Sequence, residues 1–193
     1  KLDEIDIAAK DSNTKENALH IACKKGFLEI AKYLIEINKI DLKDLNNSQE
    51  NILHLACESG NDLLVKYIIS LNVINILSTD CSNYTILHFA ARSNNLNLMS
   101  YLLKLKKIDV NAKNTYCYTI LKMAVENDNI ELVKLISRQN NIDFSVKDEN
   151  NTDILMYACE TGNLDLVKFI LTQAQFDIKA TNKYQQTVIH FGC

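Results

Sequence analysis

Proline and tryptophan are absent from this 193-residue chain, glycine occurs four times, and 21 basic residues nearly balance 24 acidic ones. Each shortage removes a class of reading. Without proline, no helix start has its φ fixed in advance. Four glycines are too few for the glycine-rich loop that cradles a nucleotide phosphate. A net charge of −3 generates no field that would recruit nucleic acid or an anionic membrane. No apolar run approaches the roughly 18 residues of a membrane span, because charges or amides interrupt each one. The stretch Lys1-Leu2-Asp3-Glu4-Ile5-Asp6 has neither the basic start nor the long apolar run of a secretory signal. The chain is therefore expected to be soluble and monomeric, without nucleic acid or membrane insertion, in the cytoplasm or the nucleus.

What the chain has in place of these is a repeat. The heptad Thr85-Ile86-Leu87-His88-Phe89-Ala90-Ala91 has relatives beginning at Asn17, Asn51, Thr119, Asp153 and Thr187. Their fourth positions are His20, His54, His88, Lys122, Met156 and His190, and the numbering rises by the same step from each to the next. A fixed period of that size is the mark of a repeat array.

Within one period the spacing predicts two short helices and a loop. Leu19, Ala22 and Cys23 fall on one helix face, which Gly26 ends. Leu28, Ala31, Leu34 and Ile35 then form an apolar stripe, with Glu29, Lys32 and Glu36 on the other side. That second helix is expected to stop at Asn38, a residue that tolerates left-handed backbone, with Asn72 and Asn140 in the same place and Lys106 and Ala174 less suited to it. Alternating stretches such as Ile40-Asp41-Leu42 and Ile108-Asp109-Val110 follow, and predict a short extended finger.

Residues 1–193 thus read as one array, with helix pairs starting near 17, 51, 85, 119 and 153. Residues 1–16 are the tail of a partial repeat, and 187–193 open a truncated sixth. Ending there leaves the apolar face of Leu164, Val167, Ile170 and Leu171 without a neighbour, whereas terminal repeats normally carry a polar cap. The expectation is a segment of a longer protein.

Four of the six cysteines, Cys23, Cys57, Cys159 and Cys193, hold one column. Stacked helices lie roughly 8–10 Å apart, beyond the roughly 7 Å reach of a disulfide, so reduced thiols in an intracellular compartment are expected. The pairs His20/Cys23, His54/Cys57 and His190/Cys193 have zinc-ligand spacing on a helix, but copies that keep the period of the array repeat a packing rule. No metal, no cofactor and no catalytic residue is read from them. All four histidines share one structural column, and no orienting partner accompanies them.

The heptads resemble the Thr-Pro-Leu-His-x-Ala signature of ankyrin repeats over essentially the whole chain. The best matches are Thr85–Ala91, the helix Gly162–Leu171 and the finger Ile108-Asp109-Val110-Asn111-Ala112-Lys113. Tetratricopeptide repeats share the period, but they are helical throughout and want a tryptophan and a proline. The resemblance implies an all-α solenoid of stacked helix-turn-helix units with short β-hairpin fingers. Two departures matter. Gln49, Asn83, Cys117, Asn151 and Gln185 replace the glycine of the finger turn; the two asparagines can turn left-handed cheaply, and the others must strain or use another turn. Lys122 and Met156 replace the heptad histidine, so their repeats are expected to be less firmly fixed.

Functionally the resemblance implies a non-catalytic protein-interaction scaffold, or the targeting or regulatory arm of a larger enzyme or channel. A protein or peptide of mixed polarity would dock on the concave surface of fingers and inner helices. Carried onto this chain, that surface includes Tyr84, Arg92, Tyr116, Tyr118, Glu126, Asn150 and Glu160. Tyr84, Tyr116, Tyr118 and Tyr184 fall in finger tips, where aromatics serve either as interface anchors or as turn filler. The segment Leu103 to Asn111 resembles the setting in which asparagines of such repeats are hydroxylated, although a finger-stabilising asparagine is the simpler account.

Overall fold

The computed structural model describes residues 6–105 and 107–192. The chain divides into two compact units, Lys1–Ile108 and Asp109–Cys193. The first holds α1 (Ala18–Lys24), α2 (Leu28–Glu36), α3 (Ile52–Ser59), α4 (Asp62–Ser70), α5 (Ile86–Ser93) and α6 (Leu96–Lys104). The second holds α7 (Ile120–Glu126), α8 (Ile130–Ser137), α9 (Ile154–Glu160), α10 (Leu164–Gln173) and α11 (Val188–Phe191). No helix among the described residues is long and apolar enough to cross a membrane.

A seven- or eight-residue helix has almost as many unpaired end groups as internal bonds, so its first turn decides whether it forms. In α3 the Asn51 side chain accepts from Leu53 and His54 amides, and His54 Nδ1 accepts the Asn51 amide at 3.2 Å. The same exchange joins Asn17 to His20 and Thr85 to His88. It satisfies donors at both ends of the turn, which is how the heptad compensates for having no proline.

Stacking supplies the rest. In the first unit α1 packs on α3 and α3 on α5, and in the second α7 packs on α9 and α9 on α11. The inner helices are buried almost all round: Leu53, Leu55, Ala56 and Cys57 are fully buried, as are His54 and His20. The outer helices bury only a stripe, Leu64, Val65 and Ile68 in α4 and Leu98, Met99 and Leu102 in α6. Each fully buried aliphatic of this kind contributes about 1.5–3 kcal/mol, and it does so only because a neighbouring repeat covers it. At the end of the second unit Ile170 is buried, but Leu164 and Leu171 are exposed.

The two helices of a pair are joined through one left-handed residue, Gly26, Gly60, Asn94, Asp128 or Gly162. An asparagine then starts the next helix: Asn61 and Asn95 cap α4 and α6, and their Nδ2 groups reach back to the carbonyls of Gly26 and Gly60 at 2.8 and 2.7 Å. In the second unit Asn163 caps α10 and reaches Asp128 Oδ1 at 2.7 Å.

The finger turns are left-handed at every described place where the family carries glycine, including Gln49 (φ 59°), Cys117 (58°) and Gln185 (62°), as well as Asn83 and Asn151. The reason is a second asparagine or aspartate column. Asn46, Asp80, Asn114, Asp148 and Asn182 each accept two backbone N–H groups, at i+2 and i+4, which wraps the turn around one side chain. Those bonds offset a left-handed cost of roughly 1–2 kcal/mol. Only one bridge, Thr79 to Thr85, has strand character among the described residues.

The helix stops are less uniform than expected. Asn38 and Asn72 are left-handed, but Asn140 is not, because α8 has already closed at Ser137 with Arg138 in helical geometry. Ala174 is extended, and Lys106 lies outside the described residues. Where histidine is missing, α7 and α9 keep the forward cap, Thr119 Oγ1 to the Lys122 amide at 3.2 Å and Asp153 Oδ1 to the Met156 amide at 3.0 Å. Neither has the return bond seen in α1, α3 and α5. One hydrogen bond is worth about 1 kcal/mol, so amides of α7 and α9 are expected to exchange about fivefold faster than those of α5. Hydrogen exchange read by NMR checks this, and equal protection would refute it.

Candidate protein-binding face

Of the seven surface residues carried over from the resemblance, two belong to the first unit. Tyr84 is half-buried, its ring edge-on to His88 at 5.4 Å and to Phe89 at 6.2 Å. Arg92, at the end of α5, is exposed; its guanidinium meets Glu58 Oε1 at 3.0 Å and lies over the Phe89 ring at 5.8 Å. A cation is thus already held there between a carboxylate and an aromatic ring.

In the second unit Tyr116 is 57% exposed, with its ring 6.5 Å from that of Tyr118. Tyr118 is half-buried because Lys122 lies on it, Nζ being 3.2 Å from the ring centroid. Lys122 is only 5% exposed. Its ammonium is also 4.2 Å from the Tyr157 centroid and 3.1 Å from Glu126 Oε1, an ion pair without hydrogen-bond geometry. Two π faces and a carboxylate compensate for its loss of water. The place that histidine fills in α1, α3 and α5 here holds a cation.

Tyr157 donates to Asp148 Oδ2 at 2.6 Å. Burial and that hydrogen bond push the Tyr157 hydroxyl well above the usual phenol range. Burial opposes ionisation of Asp148, but hydrogen bonds from Tyr157, Thr152 and Asn150 outweigh it and, with the Lys122 charge, hold the carboxyl below its usual value. Asp148 therefore stays ionised and keeps its finger folded.

Asn150 is engaged in the finger stack. Its amide donates to Asp148, its carbonyl accepts from the Lys183 amide at 2.8 Å, and the Tyr184 hydroxyl lies 3.4 Å from its Oδ1. Tyr184 is 67% exposed. Glu160 ends α9 and is exposed; with Glu126, Tyr157 and Thr161 it lines an open recess of about 310 Å³. Asn111, read from sequence as a finger stabiliser, donates to the Asn141 carbonyl at 2.7 Å and accepts from the Asp143 amide at 2.9 Å.

The heptad column contains no reactive group. His20 and His54 are fully buried, and burial lowers the tendency of both rings to take a proton. Burial pushes the Cys23 thiol up to about 12 and the Cys57 thiol higher still, which leaves them protonated and poor nucleophiles. Among the described residues no three metal-ligating side chains converge. The Cys193 place falls outside them.

Sequence reasoning missed three participants: the finger column from Asn46 to Asn182, the capping column from Asn61 to Asn163, and Tyr157. The first two recur once per period and were open to the same comparison that found the heptads. Nothing in the sequence marks Tyr157, whose importance lies in the ammonium beneath it.

Comparison with known proteins agrees with this architecture. Four overlapping stretches, residues 3–80, 38–114, 64–148 and 121–193, match the family described as ankyrin repeats (3 copies). No curated protein matches. Among solved structures, a chain from the complex of the predatory endopeptidase Bd0816 of Bdellovibrio bacteriovorus with the immunity protein Bd3460 is similar, at 22% identity and a TM-score of 0.78 over 95% of this chain and 92% of that one. A stacked helix-pair fold, a heptad returning at one fixed period and a family match from end to end make one conclusion: this chain belongs to the ankyrin-repeat family.

Proposed function

We propose that this array is a non-catalytic protein-interaction module that docks a protein or peptide on its fingers and inner helices. The observation that carries the reading is the exposure of large aromatic rings on rigid turns. Tyr116 and Tyr184 are 57% and 67% exposed, yet the backbone beneath each is pinned by two hydrogen bonds to Asn114 or Asn182. An exposed ring on a mobile loop would lose much of its binding energy to ordering, whereas a pinned one loses little. Tyr and Arg are also the residues that dominate interface energetics.

Tyr116 is the proposed anchor, with Arg92, Glu126, Asn150 and Glu160 as polar contacts. Tyr84 and Tyr118, half-buried against Phe89 and Lys122, brace the surface and present their edges to a partner. The array acts as a monomer and contributes no catalysis of its own. The similar solved chain, itself taken from a two-protein complex, is in keeping with such a role.

The test is affinity capture from the native host with the wild-type array and with Tyr116→Ala, bound proteins being quantified by mass spectrometry. Tyr116 is chosen alone because removing Tyr118 would also strip the cover from Lys122. Retention of the partner is expected to fall about tenfold, the scale of an interface hot spot, with the unfolding midpoint unmoved. Undiminished retention by a folded variant would overturn this site.

A further inference from the structure

We infer that the recess between α7 and α9 receives an arginine side chain of the partner, a deepening that rests on the protein-binding reading. The array contains its own template for this contact. Residues 58, 92, 126 and 160 occupy one column, at the ends of successive inner helices. In the first unit the column holds Glu58 and then Arg92, which pair at 3.0 Å while the guanidinium rests over an aromatic ring, Phe89. In the second unit it holds Glu126 and then Glu160. The carboxylate and the ring, now Tyr157, are both present, but the place of the arginine is taken by a second acid.

Three features make that recess a cation site. Its two ionisable side chains besides Tyr157 are carboxylates, and among the described residues no lysine or arginine lies within ion-pair distance of Glu160. The last turns of α7 and α9 bring their carbonyl ends to the same place without a basic residue to offset them. The walls, moreover, already hold one ammonium. Lys122, nine-tenths buried and with no hydrogen bond through Nζ, lies beneath them, 3.1 Å from Glu126 and 4.2 Å from the centre of the Tyr157 ring. That one ammonium against two carboxylates leaves a single negative charge on the open side. A guanidinium fits best: its planar fork spans two carboxylates and its face lies flat on a phenol ring.

The experiment titrates the whole array with a blocked alanine peptide carrying one arginine, and with the same peptide carrying citrulline, the neutral isostere of arginine. Backbone amide shifts report binding. The arginine peptide is expected to move the amides of Glu126, Tyr157, Glu160 and Thr161 saturably, and the citrulline peptide to leave them in place. Glu160→Gln, which leaves the Lys122–Glu126 pair untouched, is expected to weaken binding about fivefold. Glu160→Arg is expected to abolish it with the fold intact, because the new side chain fills the recess as Arg92 meets Glu58. Equal shifts with citrulline, no shift with arginine, or arginine binding that survives Glu160→Arg would each overturn the inference. Capture from the host by the same variants separates the two levels. A partner retained equally by wild type and Glu160→Arg sinks the recess alone. A wild-type array that retains no protein sinks the interaction reading itself, and the peptide titration then judges the recess.

Discussion

Phe89→Ala is expected to destabilise the first unit by about 3–5 kcal/mol, the largest effect of any single truncation proposed for this chain. Phe89 is 1% exposed and lies where α3 and α5 meet, its centroid 5.1 Å from the His54 ring. Tyr84 stands 6.2 Å away on the finger side, and the Arg92 guanidinium covers the ring at 5.8 Å. Removing the ring opens a cavity that none of these can fill. The Tyr84 ring is held by the finger, the His54 ring by hydrogen bonds at both nitrogens, and Arg92 by Glu58. Sites that cannot collapse lie at the costly end of the range. Phe89→Leu, which keeps most of the volume, is expected to lose less than about 1.5 kcal/mol. Urea unfolding of both variants checks the pair, and a loss below about 1 kcal/mol for alanine would contradict this packing account.

His54→Ala is expected to lose about 3 kcal/mol for a different reason. The ring accepts the Asn51 amide at Nδ1, so its proton sits on Nε2 and is donated to the Ser78 carbonyl at 3.1 Å. Alanine removes both bonds and strands a donor on Asn51, itself only 5% exposed. The same geometry fixes how stability follows pH. A proton on Nδ1 would face the Asn51 N–H, and burial already lowers the folded-state affinity of His54 for a proton below the ordinary value of 6.5, as it does for His20. The unfolded chain therefore binds protons more readily than the folded one. The stabilisation is complete above pH 6.5 and is lost as pH falls through the lower folded values. Unfolding free energy measured between pH 7.5 and 5 is expected to fall, and the slope to be shallower in His54→Ala. Identical slopes would show that this ring does not titrate with folding. Because His54 and Phe89 touch, their losses are not expected to add.

The repeat was legible because burial writes it into the sequence. A short helix that must cover its neighbour needs Leu, Ala and Cys or Ala at fixed offsets, and Leu53, Ala56 and Cys57 recur in kind at 19, 22 and 23. The left-handed turns at Gln49, Cys117 and Gln185 were not legible from those residues. Their conformation is dictated by the asparagine or aspartate three positions earlier, at Asn46, Asn114 and Asn182. Lys122 was harder still. As a residue it reads as a lost histidine, and its role emerges only when Tyr157, a full repeat later, brings its ring above the ammonium. Nothing local to either residue predicts the meeting. Tyr84 and Tyr118 share this difficulty, since a finger-tip tyrosine and a bracing one look alike until their neighbours are placed.

The clasp between adjoining helix pairs bears on how such a chain changes length. Asn95 reaches the Gly60 carbonyl as Asn61 reaches that of Gly26, so each repeat supplies one hook and one eye at a constant offset. Excising any whole period from this stretch would leave Asn95 facing Gly26 with the same two groups to join. Gain or loss of complete repeats by unequal recombination is therefore structurally neutral at the joint, whereas a cut of any other size misaligns every clasp downstream.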